Sequence, residues 1–340
     1  MRWAALANLG WFLLLAGASP AAASEAAADD SPQRGAAAAQ EEAPAEPKPG
    51  APAQPASLLE KLEPRARLLL GIGADEREAW ARRYGVQQAR LGVALRERIY
   101  RVEVEADLAE SSVLNDAWIE LRAAQPLRFR VGRFKEPFGL FRLESSWDLP
   151  LPERPEIAKA AEELGFGGRD LGAAVRWDLA FFELRAGLFQ GTGVGAEAPQ
   201  ETGILRLTAA PVSFLELGTS LGRRALFDGG DGNAIGFDAR LAAWGFVALA
   251  EWQEASHIGR RVLVRGSAFL LSRRMALDDE LWIEPAAGTD RIEGRPAAFA
   301  AALGMGLDDR FVARIGARRA PDRDDGREAT EVALQVGVQL

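Results

Sequence analysis

The 340-residue sequence has no cysteine, one histidine, two tyrosines and only four lysines. Without thiols it can hold neither a disulfide framework nor a thiolate metal site. A lone histidine (His257) leaves little for imidazole-based catalysis, so no catalytic residue, metal ligand or cofactor is expected. Beyond the first two dozen residues no apolar run is long enough to cross a bilayer as a helix, because Arg, Asp or Glu interrupts each one. The formal net charge of −8 gives no support for a nucleic-acid partner.

What the chain does contain divides into three stretches. Arg2, the apolar run Trp3 to Ala16 and the small residues Ala21-Ala22-Ala23 have the form of an export signal, expected over residues 1–23. Residues 24–64 are rich in Ala, Pro and Glu, with eight acids against Arg34, Lys48 and Lys61. Such a segment buries too little apolar surface to offset its ordering entropy, so a disordered linker is expected there, on the periplasmic side. From residue 65 to residue 340 the texture changes to short alternating segments.

Val332, Leu334, Val336, Val338 and Leu340 alternate with Ala333, Gln335, Gly337 and Gln339. Val102, Val104 and Ala106 alternate with Glu103, Glu105 and Asp107, and Phe182, Leu184, Ala186 and Leu188 with Glu183, Arg185 and Gly187. A period of two describes strands with one oily face and one small or charged face. A soluble sandwich and a membrane barrel share that pattern, but their connections differ. About sixteen candidate strands run from 66–73 to 329–340. Connections at 124–125, 178, 211, 244 and 307–309 are short, while those near 135–168, 190–201, 224–232 and 319–328 are long. Alternation of short inner turns with long outer loops is the habit of transmembrane barrels. The stretch 272–296 fits worst: it demands either a long inner turn or a further strand elsewhere. Trp177 and Trp244 fall at turn ends, where an interfacial aromatic girdle belongs. The fold class expected is all-β, a transmembrane antiparallel β-barrel of about 16 strands.

One segment carries a more specific signal. Asp116-Ala117-Trp118-Ile119-Glu120-Leu121 is followed by Val131-Gly132-Arg133-Phe134-Lys135-Glu136-Pro137-Phe138-Gly139-Leu140. Then come Ser145-Ser146, Glu153-Arg154, Gly168-Arg169-Asp170-Leu171-Gly172 and Gly187-Leu188-Phe189-Gln190-Gly191. In order and spacing this resembles the phosphate-selective porin O and P family. The resemblance implies a bacterial outer-membrane porin, trimeric, passing small hydrophilic solutes or ions through a lumen that the inward-folded third outer loop narrows. By strand count that loop is 136–167, since Pro137 cannot donate to a sheet ladder.

Two tests pick candidate pore residues. Lys135, Arg142, Glu153 and Arg154 belong to the loop or flank it. Arg128, Arg130, Arg176 and Arg185 stand on the non-lipid face of neighbouring strands. Glu153 and Arg154, being adjacent and opposite in charge, are expected to form a structural pair. Residues 136–167 hold seven acids against Arg142, Arg154 and Lys159, and Glu103, Glu105 and Asp107 add to the lumen. That excess argues against the anion preference in the family's name. Two other readings stay open: a barrel enzyme using His257 beside Ser256 in an outer loop, and a non-conducting structural barrel.

Overall fold

The computed structural model describes residues 61–191, 201–225, 231–257, 262–308, 310–321 and 327–340. The expected signal peptide and all of the linker up to residue 60 lie outside them. Sixteen long strands follow one another: β1 (Leu62–Asp75), β2 (Ala81–Arg96), β3 (Tyr100–Asp107), β4 (Leu114–Ala124), β5 (Leu127–Lys135), β6 (Arg169–Leu179), β7 (Phe182–Phe189) and β8 (Thr202–Val212). After them come β9 (Leu215–Ala225), β10 (Asp231–Ala243), β11 (Phe246–His257), β12 (Val262–Arg273), β14 (Leu281–Ile292), β15 (Ala298–Leu307), β16 (Phe311–Pro321) and β17 (Glu328–Gln339). A two-residue piece, β13 (Met275–Ala276), lies between β12 and β14.

Each long strand pairs antiparallel with its sequence neighbours, and β1 pairs with both β2 and β17. The sheet therefore closes into a cylinder in which every long strand has a partner on both sides, so backbone donors and acceptors are met within the wall over the paired spans. β1 begins at Leu62, earlier than the expected residue 66 and inside the stretch assigned to the linker.

Within 272–296 the connection at the short-turn end is 274–280, and strand β14 takes up 281–292. Met275 and Ala276 pair with Ile283 and Trp282, so the start of β14 forms a small hairpin with β13. Its later half, Ala286 to Ile292, pairs with β12. No compensating strand is needed.

The two faces of the wall differ as the alternation requires. Leu68, Leu70, Leu188, Leu205, Leu221, Leu303 and Ile315 are exposed, although each stands in a fully paired strand. In water such a surface would be costly; against hydrocarbon it is the matching solvent. At the short-turn end Trp177, Phe181, Phe182, Phe214, Trp244, Phe246 and Phe311 are also exposed, the composition of an interfacial girdle. Trp244 is 92% exposed and sits with Gly245 in a two-residue turn where both have positive φ, 52° and 77°. That conformation suits the twist of a tight hairpin.

Placing a charge on the oily face should be expensive. Ile315→Lys, at the middle of β16, should lower stability by about 2–4 kcal/mol in a denaturant titration in lipid vesicles. A change near zero would mean that this face does not meet hydrocarbon.

Candidate functional site

Residues 136–168 connect β5 to β6 and contain two short helices, α1 (Leu140–Leu143) and α2 (Glu156–Glu163). Pro137 ends the pairing of β5, and Gly139, at φ 72°, turns the chain into α1. The base of the loop is clasped by Glu136. Its backbone N–H donates to the Gly168 carbonyl at 2.8 Å, and its carboxylate accepts from the Gly167 N–H at 2.7 Å. Burial, together with the nearby Asp170, pushes the Glu136 carboxyl up to about 8, against the opposing effect of the Gly167 hydrogen bond.

From that base the loop reaches strands far apart around the wall. The Phe141 N–H donates to Glu251 on β11 at 2.6 Å, and the Gly139 N–H to Ser220 on β9 at 3.3 Å. Glu144 accepts from Arg240 on β10 at 2.6 Å, and Asp290 on β14 accepts from the Glu156 N–H at 3.1 Å. Ser145 accepts from Arg67 on β1 at 3.1 Å, the Pro152 carbonyl from Gln335 on β17 at 2.7 Å, and the Trp147 carbonyl from Arg314 on β16.

Apolar packing follows the same course. A side chain on any of five wall glycines would strike the loop: Phe166 at Gly222, Ile157 at Gly266, Leu151 at Gly288, Pro152 at Gly316 and Trp147 at Gly337. These strands thus offer sockets, and the loop supplies the knobs. Leu140, Phe141, Leu149, Leu151, Ile157 and Ala158 form one cluster with Leu249, Ala268, Leu270 and Ala286 of β11, β12 and β14. A second cluster joins Phe138, Ala161 and Phe166 to Phe134, Phe189, Ile204, Ala234 and Ala255. The loop is bonded dry to that part of the wall.

Open space lies on the other side. A cavity of about 750 Å³ is lined by the long-loop ends of β2, β4, β5 and β6 and by the loop itself. Its basic residues are Arg90, Arg133, Lys135, Arg142, Arg154 and Arg169, against Glu110, Glu136, Glu162 and Asp170. A second cavity, of about 620 Å³, opens toward the short-turn end along β6 to β9. Glu144, Asp178, Glu183, Glu216, Arg185 and Arg206 carry its charge.

The candidates named from sequence separate accordingly. Lys135, Arg142 and Arg154 meet in the upper chamber, joined by Arg90, Arg133 and Arg169, which sequence reasoning missed. Arg142 is held by Glu162 and by the Gly167 carbonyl, the latter at 3.1 Å. Arg154 donates only to carbonyls, of Phe141 at 3.1 Å and Glu144 at 2.7 Å, and Arg133 donates to the Leu114 carbonyl at 3.0 Å. Burial and the like charges of Arg142 and Arg169 bring Arg154 down to about 10, still a cation at neutral pH. The expected Glu153–Arg154 pair does not form: Glu153 pairs with Lys159 at 2.9 Å and lines a separate recess beside β14 and β16. Glu153 turns to Lys159 and Arg154 to the carbonyls of Phe141 and Glu144, so adjacency in sequence does not make contact.

Arg128, Arg176 and Arg185 oppose one another on β5, β6 and β7, and Arg206 on β8 continues the row. Like charges directly opposed across strands repel, and here carboxylates stand between them. Asp178 bridges Arg128 (3.2 Å) and Arg176 (2.8 Å), while Glu183 bridges Arg176 and Arg185, the latter at 2.5 Å. Arg206 is paired with Asp238 at 2.6 Å. Arg130 is held by Glu120 at 2.6 Å and stacks over Trp118 at 4.0 Å. Arg128, Arg176 and Arg185 are therefore wall residues in a row braced by carboxylates, Arg130 is braced separately by Glu120, and none of the four lines the upper chamber.

The loop acids that argued against anions are engaged elsewhere. Glu136 is clasped, Glu144 faces Arg240, Glu156 lies near Arg318 at 3.6 Å and Glu162 near Arg142. Glu105 and Asp107 hold Arg90 at 3.3 and 2.8 Å, and Glu103 holds Arg101 at 2.6 Å. Ser256 and His257, expected in a loop, are the last residues of β11, and the Ser256 hydroxyl donates to the Asn233 carbonyl at 3.2 Å.

Residues 80–243 match the family model described as phosphate-selective porin O and P. No curated protein matches the chain. Among solved structures, the anion-selective porin from Comamonas acidovorans superposes with a TM-score of 0.62 at 13% identity, covering 82% of this chain and 99% of that one. OmpF of Salmonella typhi, in complex with daunomycin, gives 0.62 at 10% identity, covering 82% and 97%. OmpT of Vibrio cholerae, in its trimer form, gives 0.56 at 11% identity, covering 82% and 99%. At such identities the likeness is one of fold.

Two outcomes follow from this geometry. Gly337→Val should lose about 1–3 kcal/mol by driving Trp147 from its socket, and adding Trp147→Ala should make the pair less costly than the sum of the single changes. Strict additivity in denaturant titrations would sink the socket. Glu136 has a folded pKa near 8 and an ordinary value of 4.5, so the folded state holds the extra proton between them. Stability should therefore fall as pH rises through that window, and Glu136→Gln should flatten the fall. Parallel pH profiles for the two proteins would contradict it.

Proposed function

We propose that this chain, related through residues 80–243 to the phosphate-selective porin O and P family, is an outer-membrane porin that passes small hydrophilic solutes passively and prefers anions. The observation that carries the preference is the upper chamber, where Arg133 and Arg154 meet no carboxylate in any ion pair of the described residues. Cations left uncompensated along a narrow aqueous path attract anions; the total charge of the loop matters less than where its carboxylates are spent.

The loop 136–168 is the constriction in this reading. A segment that bonds to β1, β9, β11, β14, β16 and β17 at once cannot do so from outside a closed cylinder. It fills the β9–β17 side with apolar contacts and leaves the solute path against β2 to β9. Phosphate and other small oxyanions are the solutes such a chamber suits, with Ser111, Ser112, Ser145 and Ser146 as additional donors. The protein acts as a homotrimer in the outer membrane, lipid on its oily face, with residues 24–60 in the periplasm, and performs no chemistry of its own. The trimer form of the Vibrio cholerae neighbour supports that assembly.

Single-channel recording in planar bilayers under a potassium chloride gradient is the test. Stepwise conductance should appear with a reversal potential on the chloride side. Arg133→Glu should lower the chloride-to-potassium permeability ratio by about two-fold or more. Absence of steps would overturn the channel, and a potassium-side reversal potential would overturn the anion preference.

A further inference from the structure

The upper and lower chambers have one lining residue in common, Leu143. It is the last residue of α1, half-buried, with its N–H donating to the Gly139 carbonyl at 3.2 Å. The preceding turn cannot drift, because Leu140 and Phe141 are locked into the wall cluster with Leu249 and Leu270. The following residue is held as well: the Glu144 carboxylate accepts from Arg240, and its carbonyl from Arg154. Since Arg154 also bonds the Phe141 carbonyl, its guanidinium brackets Leu143 from both sides in sequence. An isobutyl group is thus presented to the solute path from a backbone anchored at several points.

The character of the lining changes at this residue. On the long-loop side five arginines stand against four acids; on the short-turn side Glu144, Asp178, Glu183 and Glu216 stand against Arg185 and Arg206. Resting on the channel reading above, we infer that Leu143 is the waist of the pore: the apolar side chain that sets conductance and size limit where a cationic chamber gives way to an acidic one. A hydrated ion gains nothing from the isobutyl group and must keep its water to pass it, so the bore left beside Leu143 governs flux more strongly than any single charge does. Narrow apolar rings resist ions by this means in other channels. A leucine that merely packed the loop to the wall would join Leu140 and Phe141 in the cluster rather than line both cavities.

The absence of cysteine from the chain makes the test clean. Leu143→Ala should raise single-channel conductance about two-fold or more, and Leu143→Trp should cut it to about a fifth or less. Leu143→Cys should lose current in steps when a trimethylammonium methanethiosulfonate is added from either side of the bilayer. Ser112→Cys, in the upper chamber away from α1, should lose far less, and Leu303→Val, on the exposed outer face of β15, should conduct as wild type. Unchanged conductance in both Leu143→Ala and Leu143→Trp would overturn the inference, as would a Leu143→Cys thiol that the reagent leaves intact. Wild-type heat-modified gel mobility checks that each variant is folded, and if Leu143→Trp fails to fold, the Ala and Cys variants decide. A wild type without conductance steps would instead overturn the channel reading together with this one.

Discussion

Hydrocarbon offers no hydrogen bonds, and the seam between β1 and β17 is where that constraint is met. Arg67 to Asp75 pair residue for residue with Gln339 back to Glu331, and the Leu340 N–H donates to the Ala66 carbonyl at 2.9 Å. An unclosed sheet would leave two rows of backbone groups facing lipid, each costing several kcal/mol by order of magnitude. Closure removes that cost and turns the wall inside out relative to a soluble protein. The oily face looks outward, so anything that needs a conventional dry core must build it inside the cylinder, from the loop and the small residues opposite it.

Charge inside such a cylinder is organised by pairing. The row Arg128, Arg176, Arg185 and Arg206 would repel itself without Asp178, Glu183 and Asp238, and so contributes rigidity and near-neutral polarity. Loop carboxylates go to backbone amides, to wall arginines and to bases of the loop itself, as Glu136, Glu144 and Glu162 do in turn. What remains for a solute is a pair of guanidinium groups, Arg133 and Arg154, whose hydrogen bonds among the described residues go to carbonyls. A composition that is acidic on paper thereby yields a basic chamber.

The strands were legible because a period of two survives over most of their length, and the connections because their lengths alternate. Legibility stopped at 272–296, where a hairpin at the short-turn end imitates an additional strand. The extent of the loop could be read from Pro137 and from the return of alternation near Arg169. Its interactions could not, since its partners are remote in sequence: Glu144 with Arg240, Glu156 with Arg318, Trp147 with Arg314. The Glu153–Arg154 reading failed because it took nearness along the chain for nearness in space. Searching for charged side chains alone also hid Leu143. Arg206 was within reach of the alternation, flanked by Leu205 and Leu207 on the opposite face.

The wall glycines have a consequence for ancestry and engineering alike. A loop whose bulky groups each need a vacancy on a particular strand is not a detachable cassette. Transplanting 136–168 onto a barrel that carries alanine or valine at the positions of Gly266, Gly288 or Gly337 would leave those groups without a seat. Among descendants of one ancestor, enlargement at a seat and shrinkage of the matching loop side chain should therefore be inherited together, so the evolutionary record of the wall and that of the loop are a single record.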